Sequence, residues 1–371
     1  MSLRDLFLLD PDLVFLNHGS FGACPRPVFE RYQAWQRELE ASPVEFLGRR
    51  FEDLLDEARA ALAVYVGAEP GDLVFCPNAT SGVNAVARSL RLEHGDEILS
   101  TDHEYGALDL TWEFVCDRTG ARYVRQPVPT PVGTEEGIVE AVWAGFGPRT
   151  RVLYLSHITS RSAVRFPVEE LCRRAREAGV VSIVDGAHAV GQIPLDLSSL
   201  GADFYAGNCH KWLCAPKGAG FLWARPEHQS RIEPATVTWG YEAGQGFGER
   251  RHWQGTRDPA AYLSVPAAID FQRDHGWDDV RERCRGLVDL ARESMTSWTG
   301  LEPLGRDPLQ MATFPLPPCD GDEVKRRLFD EHRVEVPVWQ RNGAPLLRIS
   351  VQGYNDAGDI EALVGALPRL I

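Results

Sequence analysis

VVSIVDGAHAVG, residues 180–191, begins with an apolar run that ends at Asp185 and continues through small residues to His188. An apolar run of this length without regular polar alternation predicts a strand buried on both faces. A carboxylate at the end of such a strand is costly unless a cation or hydrogen-bond donors meet it. The stretch therefore predicts an interior strand that ends at a functional site, with a purely structural Asp185 as the alternative.

Strands and helices alternate on both sides of this stretch. We predict further strands over 71–77, 96–101, 151–156, 202–207 and 219–224, and helices over 81–90, 108–120 and 168–179. Apolar strands separated by helical segments are typical of a mostly parallel sheet with helices on both faces. The sequence thus predicts an α/β fold.

The two ends of the chain have a different pattern. Residues 28–66 have the three- and four-residue spacing of amphipathic helices, with a break at 41–43. Beyond Pro259 a long helical stretch runs to about Trp298, followed by shorter strands and helices. We therefore predict an N-terminal segment plus a large α/β domain at 1–257 and a smaller α+β domain at 258–371.

Composition favours a small-molecule role. The 371 residues carry a formal net charge of −14, which repels nucleic-acid phosphates and anionic lipids. No apolar run approaches the ~20 residues needed to cross a bilayer, and acidic residues interrupt the N-terminus where a signal peptide is apolar. The eight cysteines lack CxxC pairs and zinc-ligand spacing. We expect a cytoplasmic protein with no metal, nucleic acid or membrane partner.

Two further segments come at strand ends in the predicted sheet. CPNATSGVNAV (76–86) turns from a strand into a helix whose free N–H groups suit a phosphate, although the same residues could simply cap the helix. FYAGNCHKWL (204–213) places Lys211 just beyond the strand that follows Asp185. Ligands collect at the carboxyl ends of strands in such sheets. An amine, a carboxylate and a phosphate site together are what pyridoxal phosphate needs.

Longer motifs extend over nearly the whole chain. They are, in order, LNHGSFGACP (16–25), NATSGVNAV (78–86), STDHEYGA (100–107), DGAHAVGQIPLDL (185–197), CHKWLCAPKGAGFL (209–222) and LLRIS…GYNDAGDI (346–360). With these motifs the chain resembles fold-type I pyridoxal-phosphate enzymes of the class V aminotransferase family, most closely the isopenicillin N epimerase-like branch. The resemblance implies a PLP-dependent transferase-like fold, pyridoxal 5′-phosphate as cofactor, an amino-acid substrate and a homodimer.

The resemblance also implies roles for cofactor-binding residues. Lys211 would form the Schiff base, Asp185 would hold the pyridine nitrogen protonated, and His188 would lie beside the ring. The phosphate would be bound by Ala79, Thr80, Asn208 and His210, although relatives often have serine where this chain has Asn208. An aromatic face would stack on the ring, from Tyr105 or, as the runner-up, His103. Thr256 in WQGTRD (253–258) would reach the phosphate of the other subunit.

Substrate-binding residues are implied in the same way. Arg348 would bind the substrate α-carboxylate, because guanidinium and carboxylate form bidentate pairs. Asn17 and His18 would lie near the substrate entrance. Ser160 stands where many relatives place an asparagine near the phenolic oxygen of the cofactor, and we expect Arg161 to contact a second acidic group on the substrate.

The family resemblance leaves the reaction open among epimerisation, β-elimination or C–S lysis of a cysteine conjugate, and transamination. Epimerisation needs a second proton carrier opposite Lys211, for which Tyr105, His18 and His252 are candidates. Residues 334–350 contain no cysteine, which disfavours persulfide-forming desulfuration. A pyridoxal-phosphate-binding regulator is the non-enzymatic alternative, and the presence of Lys211, Asp185 and Arg348 together argues against it.

Overall fold

The computed structural model describes residues 3–239, 241, 246–341 and 343–371. Strands in these residues are β1 (Val14–Phe15), β2 (Leu73–Cys76), β3 (Glu97–Thr101), β4 (Arg122–Gln126), β5 (Thr150–Ser156), β6 (Val181–Gly186), β7 (Phe204–Asn208), β8 (Gly220–Ala224), β9 (Met311–Pro315), β10 (Val334–Glu335), β11 (Val338–Arg341) and β12 (Ala344–Ser350). They form a seven-stranded, a three-stranded and a two-stranded sheet in the described part of the chain.

The seven-stranded sheet has the order β2-β8-β7-β6-β5-β3-β4. The neighbours from β7 to β4 are parallel, whereas β8 is antiparallel to both β2 and β7. Ser156 pairs with Asp185, and Asp185 pairs with Ala206, so three strand ends lie side by side. The predicted, largely parallel α/β sheet is confirmed, and its carboxyl edge collects the residues that the sequence placed there.

The described helices alternate with these strands. They are α1 (His18–Phe21), α2 (Arg26–Ala41), α3 (Pro43–Glu45), α4 (Phe51–Val66), α5 (Ala79–Ser89), α6 (Gly106–Thr119), α7 (Glu135–Trp143), α8 (Val168–Glu177), α9 (Leu197–Leu200), α10 (Pro226–Gln229), α11 (Glu249–His252), α12 (Ala260–Leu263), α13 (Val265–Asp274), α14 (Trp277–Thr299), α15 (Gly321–His332) and α16 (Ala357–Ala366). None of the helices in the described ranges has the length and apolarity needed to cross a membrane.

Both faces of the central sheet are covered. On one face α5 and α6 pack through Val83 and Trp112 against Tyr154 and Phe204. On the other face Leu153, Leu155 and Val184 belong to a larger core that includes α4 and α8 and continues into the C-terminal part. Burial of both faces explains why the central strands are almost uninterrupted apolar runs.

The sequence prediction differs from the structure at several elements. β4 and α7 were not predicted. β4 is a partly exposed edge strand whose sequence RYVRQ lacks an apolar run. The predicted single helical stretch from Pro259 to Trp298 is instead α12, α13 and α14. It breaks at Ser264 and again at Gly276, whose φ of 59° lies in the left-handed region that glycine adopts readily.

The C-terminal strands extend the site. β9, β12 and β11 form an antiparallel sheet, and β12 presents Arg348. β1 pairs with β10, so the N-terminal residues join the C-terminal part, and Asn17 forms a bridge with Ser350 at the end of β12. The domain boundary between residues 257 and 258 stays a prediction.

Candidate active site

A cavity of about 210 Å³ lies at the carboxyl edge of the central sheet. It is lined by strand ends, by the N-terminus of α5, and by the α1 turn. The sequence-predicted residues in its wall are Thr80, Tyr105, Ser160, Asp185, His188, Asn208, His210 and Lys211. Residues from six separate segments therefore meet at one place, as expected at the carboxyl ends of parallel strands.

Lys211 and His188 are in direct contact inside the cavity. Nζ of Lys211 lies 3.0 Å from Nε2 of His188. On the other side of the ring, the indole N–H of Trp212 donates to Nδ1 of His188 at 3.3 Å. Because Nδ1 accepts a hydrogen bond, the proton of the neutral imidazole is on Nε2, facing the amine. Lys211 can accept a hydrogen bond from this N–H only as the uncharged amine.

The electrostatics of the cavity favour the same state. Burial lowers the pKa of Lys211 to about 7, the positive charge of Arg348 adds to this, and Asp185 acts in the opposite direction. Burial, followed by the nearby charge of Lys211, also lowers the pKa of His188 well below its ordinary value. A lysine with a depressed pKa is a competent nucleophile at neutral pH.

Asp185 ends β6 in a buried position. One carboxylate oxygen accepts the N–H of Ala187 at 2.9 Å. Burial raises the pKa of Asp185, while the hydrogen bond from Ala187 and the charge of Lys211 partly offset that effect. A buried carboxylate in this position is ready to pair with a cationic partner in the cavity.

The N-terminus of α5 opens into the cavity beside Thr80. Asn78 caps the helix, because its side-chain oxygen accepts the N–H of Ser81 at 2.8 Å. The N–H of Ala79 donates to Oδ1 of Asn208 at 2.8 Å, so Asn208 joins the lysine loop to the helix. Ala79 itself does not line the cavity. His210 lines it while its Nδ1 contacts the carbonyl of Ala219 at 3.1 Å.

The α1 turn packs closely against the lysine loop. Gly22 has a φ of 72°, and a Cβ at this position would lie only 2.0 Å from the carbonyl oxygen of His210. Glycine is therefore required both for the backbone conformation and for the close approach. The turn brings Ser20 and Phe21 into the cavity wall.

Arg348 is a buried cation held by neutral groups. Its guanidinium donates to the carbonyl of Ser160 at 2.6 Å, to Oγ of Ser20 at 3.1 Å and to Oδ1 of Asn17 at 3.3 Å. Among the described residues no carboxylate lies within ion-pair distance of it, and Nε has no hydrogen-bond partner there. Burial lowers its pKa to about 10. Arg348 does not itself line the cavity but lies behind Ser20 and Ser160, which do, and a buried cation without an anionic partner is suited to bind a carboxylate.

Asn17 and His18 lie behind the cavity wall. Asn17 holds Arg348, and its amide also donates to Glu335 at 3.2 Å. His18 is fully buried, with Nε2 2.9 Å from the carbonyl oxygen of Lys211 and Nδ1 3.0 Å from the hydroxyl of Tyr354. The structure therefore places Asn17 and His18 as supports of Arg348 and Lys211, outside the cavity wall.

His103, His252 and Thr256 are not brought to the cavity within this chain. The ring of His103 is buried between Oγ of Ser162 at 2.6 Å and the carbonyl of Val128 at 2.9 Å, so it faces away from the cavity. His252 is buried at the end of α11, and Thr256 is exposed. Arg161, in the segment after β5, is exposed, and a guanidinium nitrogen lies 3.7 Å from where a Cβ of Gly106, at the start of α6, would be.

Sequence reasoning missed four polar residues at or next to this site. Ser20 follows Asn17 in the same motif, Trp212 directly follows Lys211, and Glu104 precedes Tyr105. Ser156, at the end of β5, lines the cavity. The only signal in the sequence was that these residues stand close to predicted site residues in the same motifs. The sequence could not show the contacts that they make with residues distant along the chain.

The comparisons with known proteins agree with this geometry. The family model described as Aminotransferase class-V matches residues 15–363. The chain belongs to the class-V aminotransferase family. Isopenicillin N epimerases of Amycolatopsis lactamdurans and Streptomyces clavuligerus are 41% and 39% identical to it, and each alignment covers 99% of this chain and 97% of the relative. Putative L-cysteine desulfhydrase 1 of Oryza sativa subsp. japonica is 31% identical over 96% of this class-V chain and 83% of its own length.

Solved structures establish the fold of this class-V aminotransferase family member. A C-DES mutant with glycine covalently linked to the PLP cofactor has a TM-score of 0.89 at 23% identity, covering 100% of both chains. The complex of the cystine C–S lyase C-DES with cysteine persulfide has a TM-score of 0.87 at 24% identity, covering 97% of this chain and 98% of the lyase. The fold is that of a fold-type I pyridoxal-phosphate enzyme.

The cavity of this class-V aminotransferase family member fits pyridoxal 5′-phosphate, which is its cofactor. Lys211 supplies a buried amine that is readily uncharged, and Asp185 supplies a carboxylate at the neighbouring strand end. Thr80 and the N-terminus of α5 lie at the same cavity, and a helix N-terminus is a favourable position for a phosphate group. The protein is accordingly a pyridoxal-phosphate-dependent enzyme.

Proposed function

We propose that the protein is an amino-acid epimerase that removes and returns the proton at Cα of its substrate. The observation that carries the proposal is the full-length identity of 41% to an isopenicillin N epimerase, together with a cavity that Lys211 and Tyr105 both line. Epimerisation needs a proton carrier on each face of Cα. Lys211 and Tyr105 are the candidates for these two proton carriers.

Each residue of the site would have a separate task. Pyridoxal phosphate, when bound, withdraws electrons from Cα of an amino acid and so makes its C–H bond acidic. Asp185 would hold a proton on the ring nitrogen, and Thr80 with the N-terminus of α5, Asn208 and His210 would bind the phosphate. Arg348 would bind the α-carboxylate and thereby orient Cα toward Nζ of Lys211, which takes the proton.

Tyr105 is our candidate for the second proton carrier and for the ring-stacking residue. It lines the cavity and is 44% exposed, so its hydroxyl has access to a ligand. His18 has both ring nitrogens engaged with Tyr354 and the Lys211 carbonyl, and His252 is outside the cavity wall. His188 would stay neutral beside Lys211 and direct its Nε2–H toward the amine.

Three finer proposals accompany this function. Arg161 would contact a second acidic group on the substrate, since it is exposed near Gly106 at the start of α6 and follows Ser160 of the cavity wall. Thr256 would reach the phosphate of a second subunit, which makes the active unit a homodimer. We also propose that the enzyme acts in the cytoplasm.

β-Elimination is the second candidate function. It is favoured by the 31% identity to a putative L-cysteine desulfhydrase, and it requires only one base, Lys211. No cysteine is found in the described cavity wall, which disfavours a desulfurase mechanism in which an enzyme thiol takes up the sulfur as a persulfide. Transamination would require that a keto acid use the same Arg348 site.

The reaction is tested by incubating the holoenzyme in deuterated water with isopenicillin N, L-cysteine, L-cystine and a panel of L-amino acids. Product chirality, deuterium at Cα, pyruvate and sulfide are then measured. Deuterated product of inverted configuration supports the epimerase. Release of pyruvate with sulfide or persulfide identifies a lyase, and a keto acid formed with a second amino acid identifies an aminotransferase; either result overturns the epimerase proposal.

A further inference from the structure

Glu104 is a buried carboxyl group next to the active site that the proposed reaction does not use. Its side chain is 4% exposed and connects the ends of two strands. Oε1 accepts from the hydroxyl of Thr101 on β3 at 2.7 Å, and Oε2 accepts from the N–H and the hydroxyl of Ser156 on β5 at 2.8 and 2.6 Å. Ser156 lines the cavity and pairs in register with Asp185 on β6.

Two carboxyl groups are therefore buried at one edge of the sheet, but only one of them faces a cation. Asp185 is electrostatically coupled to Lys211, and the cofactor ring nitrogen would be its further partner. Every hydrogen-bond partner of Glu104 in the described residues is neutral, and no ion pair to it is found there. Two nearby buried carboxylates cannot both ionise without a large cost, so the charge resides on the group that has the cation.

The network around Glu104 can satisfy a protonated acid as well as a carboxylate. Hydroxyl groups donate and accept, so the hydroxyl of Ser156 can turn to accept a hydrogen bond from protonated Glu104 while the N–H of Ser156 keeps its acceptor. Ser156 lines the cavity, so its own hydroxyl proton can then point into the cavity. The hydrogen bonds therefore fix the position of Glu104 without requiring its ionisation.

The surrounding charges point in the same direction. Asp185 on β6, Tyr123 on β4 and Tyr154 on β5 interact electrostatically with Glu104, and Asp109 on α6 accepts a hydrogen bond from the hydroxyl of Tyr123. Arg125 reaches Asp109 at 3.9 Å rather than Glu104. Burial, with a smaller contribution from Asp185, raises the pKa of Glu104 to about 8 against the opposing hydrogen bonds.

We propose that Glu104 is a positioning residue that stays a neutral acid at neutral pH, so that the single negative charge of this buried sheet edge resides on Asp185. It acts through Ser156, which it holds at the end of β5 beside Asp185. Ionisation of Glu104 would place a second negative charge near the ring nitrogen and change its proton affinity. The inference goes beyond the proposed function, since it applies to any reaction that uses Asp185.

Infrared spectroscopy tests the protonation state directly. Wild-type protein at neutral pH should show the carbonyl stretch of a buried carboxylic acid, and this band should disappear as the pH rises through about 8. Glu104→Gln should remove the band, whereas the control Asp109→Asn should keep it. If Glu104→Gln does not fold, Ser156→Ala should still shift the band to higher frequency, because the acid loses one hydrogen bond.

A pH titration of the holoenzyme distinguishes a positioning role of Glu104 from a purely structural one. In Glu104→Gln the visible absorbance of the cofactor should titrate as one group, whereas the wild-type titration should be broadened by a second group near pH 8. An infrared band that is missing at neutral pH, or one that persists in Glu104→Gln, overturns the proposal. So do identical pH titrations of the two holoenzymes. None of these outcomes depends on which amino acid is turned over.

Discussion

Nε2 of His188 lies 3.0 Å from Nζ of Lys211, and the ring is oriented by the indole of Trp212 on its far side. The indole can only donate, so it fixes the tautomer with the proton on Nε2. Lys211 then accepts a hydrogen bond from Nε2–H as an uncharged amine. The state of Lys211 is thus set by a residue next to it in sequence, Trp212, and by another 23 residues away, His188.

The first prediction concerns the pH dependence of cofactor capture. The pKa of Lys211 is lowered to about 7, so the amine is protonated below that pH and free above it. The rate at which the cofactor-free protein captures pyridoxal phosphate should therefore rise with pH, with a midpoint near 7. Stopped-flow absorbance measures this rate. A midpoint near the ordinary lysine value, above pH 9, would contradict the geometry.

The second prediction concerns the hydrogen bond that Trp212 donates to His188. Trp212→Phe removes the donor to Nδ1 of His188, which frees the other tautomer and should raise the pH midpoint for cofactor capture by about one unit. The smaller side chain should also lower the free energy of unfolding by roughly 1–3 kcal/mol. Trp223→Phe is the matched control, since Trp223 is buried and its indole nitrogen has no partner in the described residues. An equal midpoint shift in both variants would exclude a specific role for Trp212.

Arg348 provides the third prediction. Arg348→Ala should raise KM for an amino-acid substrate about 30-fold to 1,000-fold, which corresponds to a lost charge-assisted pair worth roughly 2–4 kcal/mol. Arg341→Ala, on the neighbouring strand, is the control, because Arg341 is paired with Asp102 at 2.8 Å. Steady-state kinetics of the two variants measure the effect. An unchanged KM in Arg348→Ala would place the carboxylate site elsewhere.

Tyr105 is tested by separating exchange from inversion. Tyr105→Phe should still exchange the Cα proton with deuterated water from the Lys211 side, with retention of configuration, while inversion falls by roughly 100-fold or more. Mass spectrometry and chiral chromatography of the same sample measure the two processes. If inversion and exchange fall together, Tyr105 supports the ring and does not carry the second proton.

The fifth prediction is the pH dependence of stability in Glu104→Gln. Folding raises the pKa of Glu104 from 4.5 to about 8, so between these values the folded wild type retains a proton that the unfolded chain has lost. Wild-type stability from this group therefore falls as the pH rises through that window. Tm of Glu104→Gln minus Tm of wild type should increase from about pH 5 to pH 8 and level off above it. A flat difference would mean that Glu104 is ionised in the folded protein.

The sequence by itself determined the central part of this protein. Apolar runs buried on both faces fix the inner strands, and strand ends in a parallel sheet must meet at one edge, so Asp185 and Lys211 could be placed together from local pattern alone. The edge strand β4 was not predicted, because it is only partly buried and its polar and apolar residues form no apolar run. The break in the long helix before α14 depended on the conformation of one glycine.

Only the tertiary structure decided how the surrounding side chains are used. His103 and Tyr105 are two residues apart, yet His103 is turned to Val128 and Ser162 while Tyr105 lines the cavity. Arg348 is held by Asn17, 331 residues away. Hydrogen bonds and desolvation act over a few ångströms in space, and the sequence neighbours of a residue do not specify which distant groups will come that close.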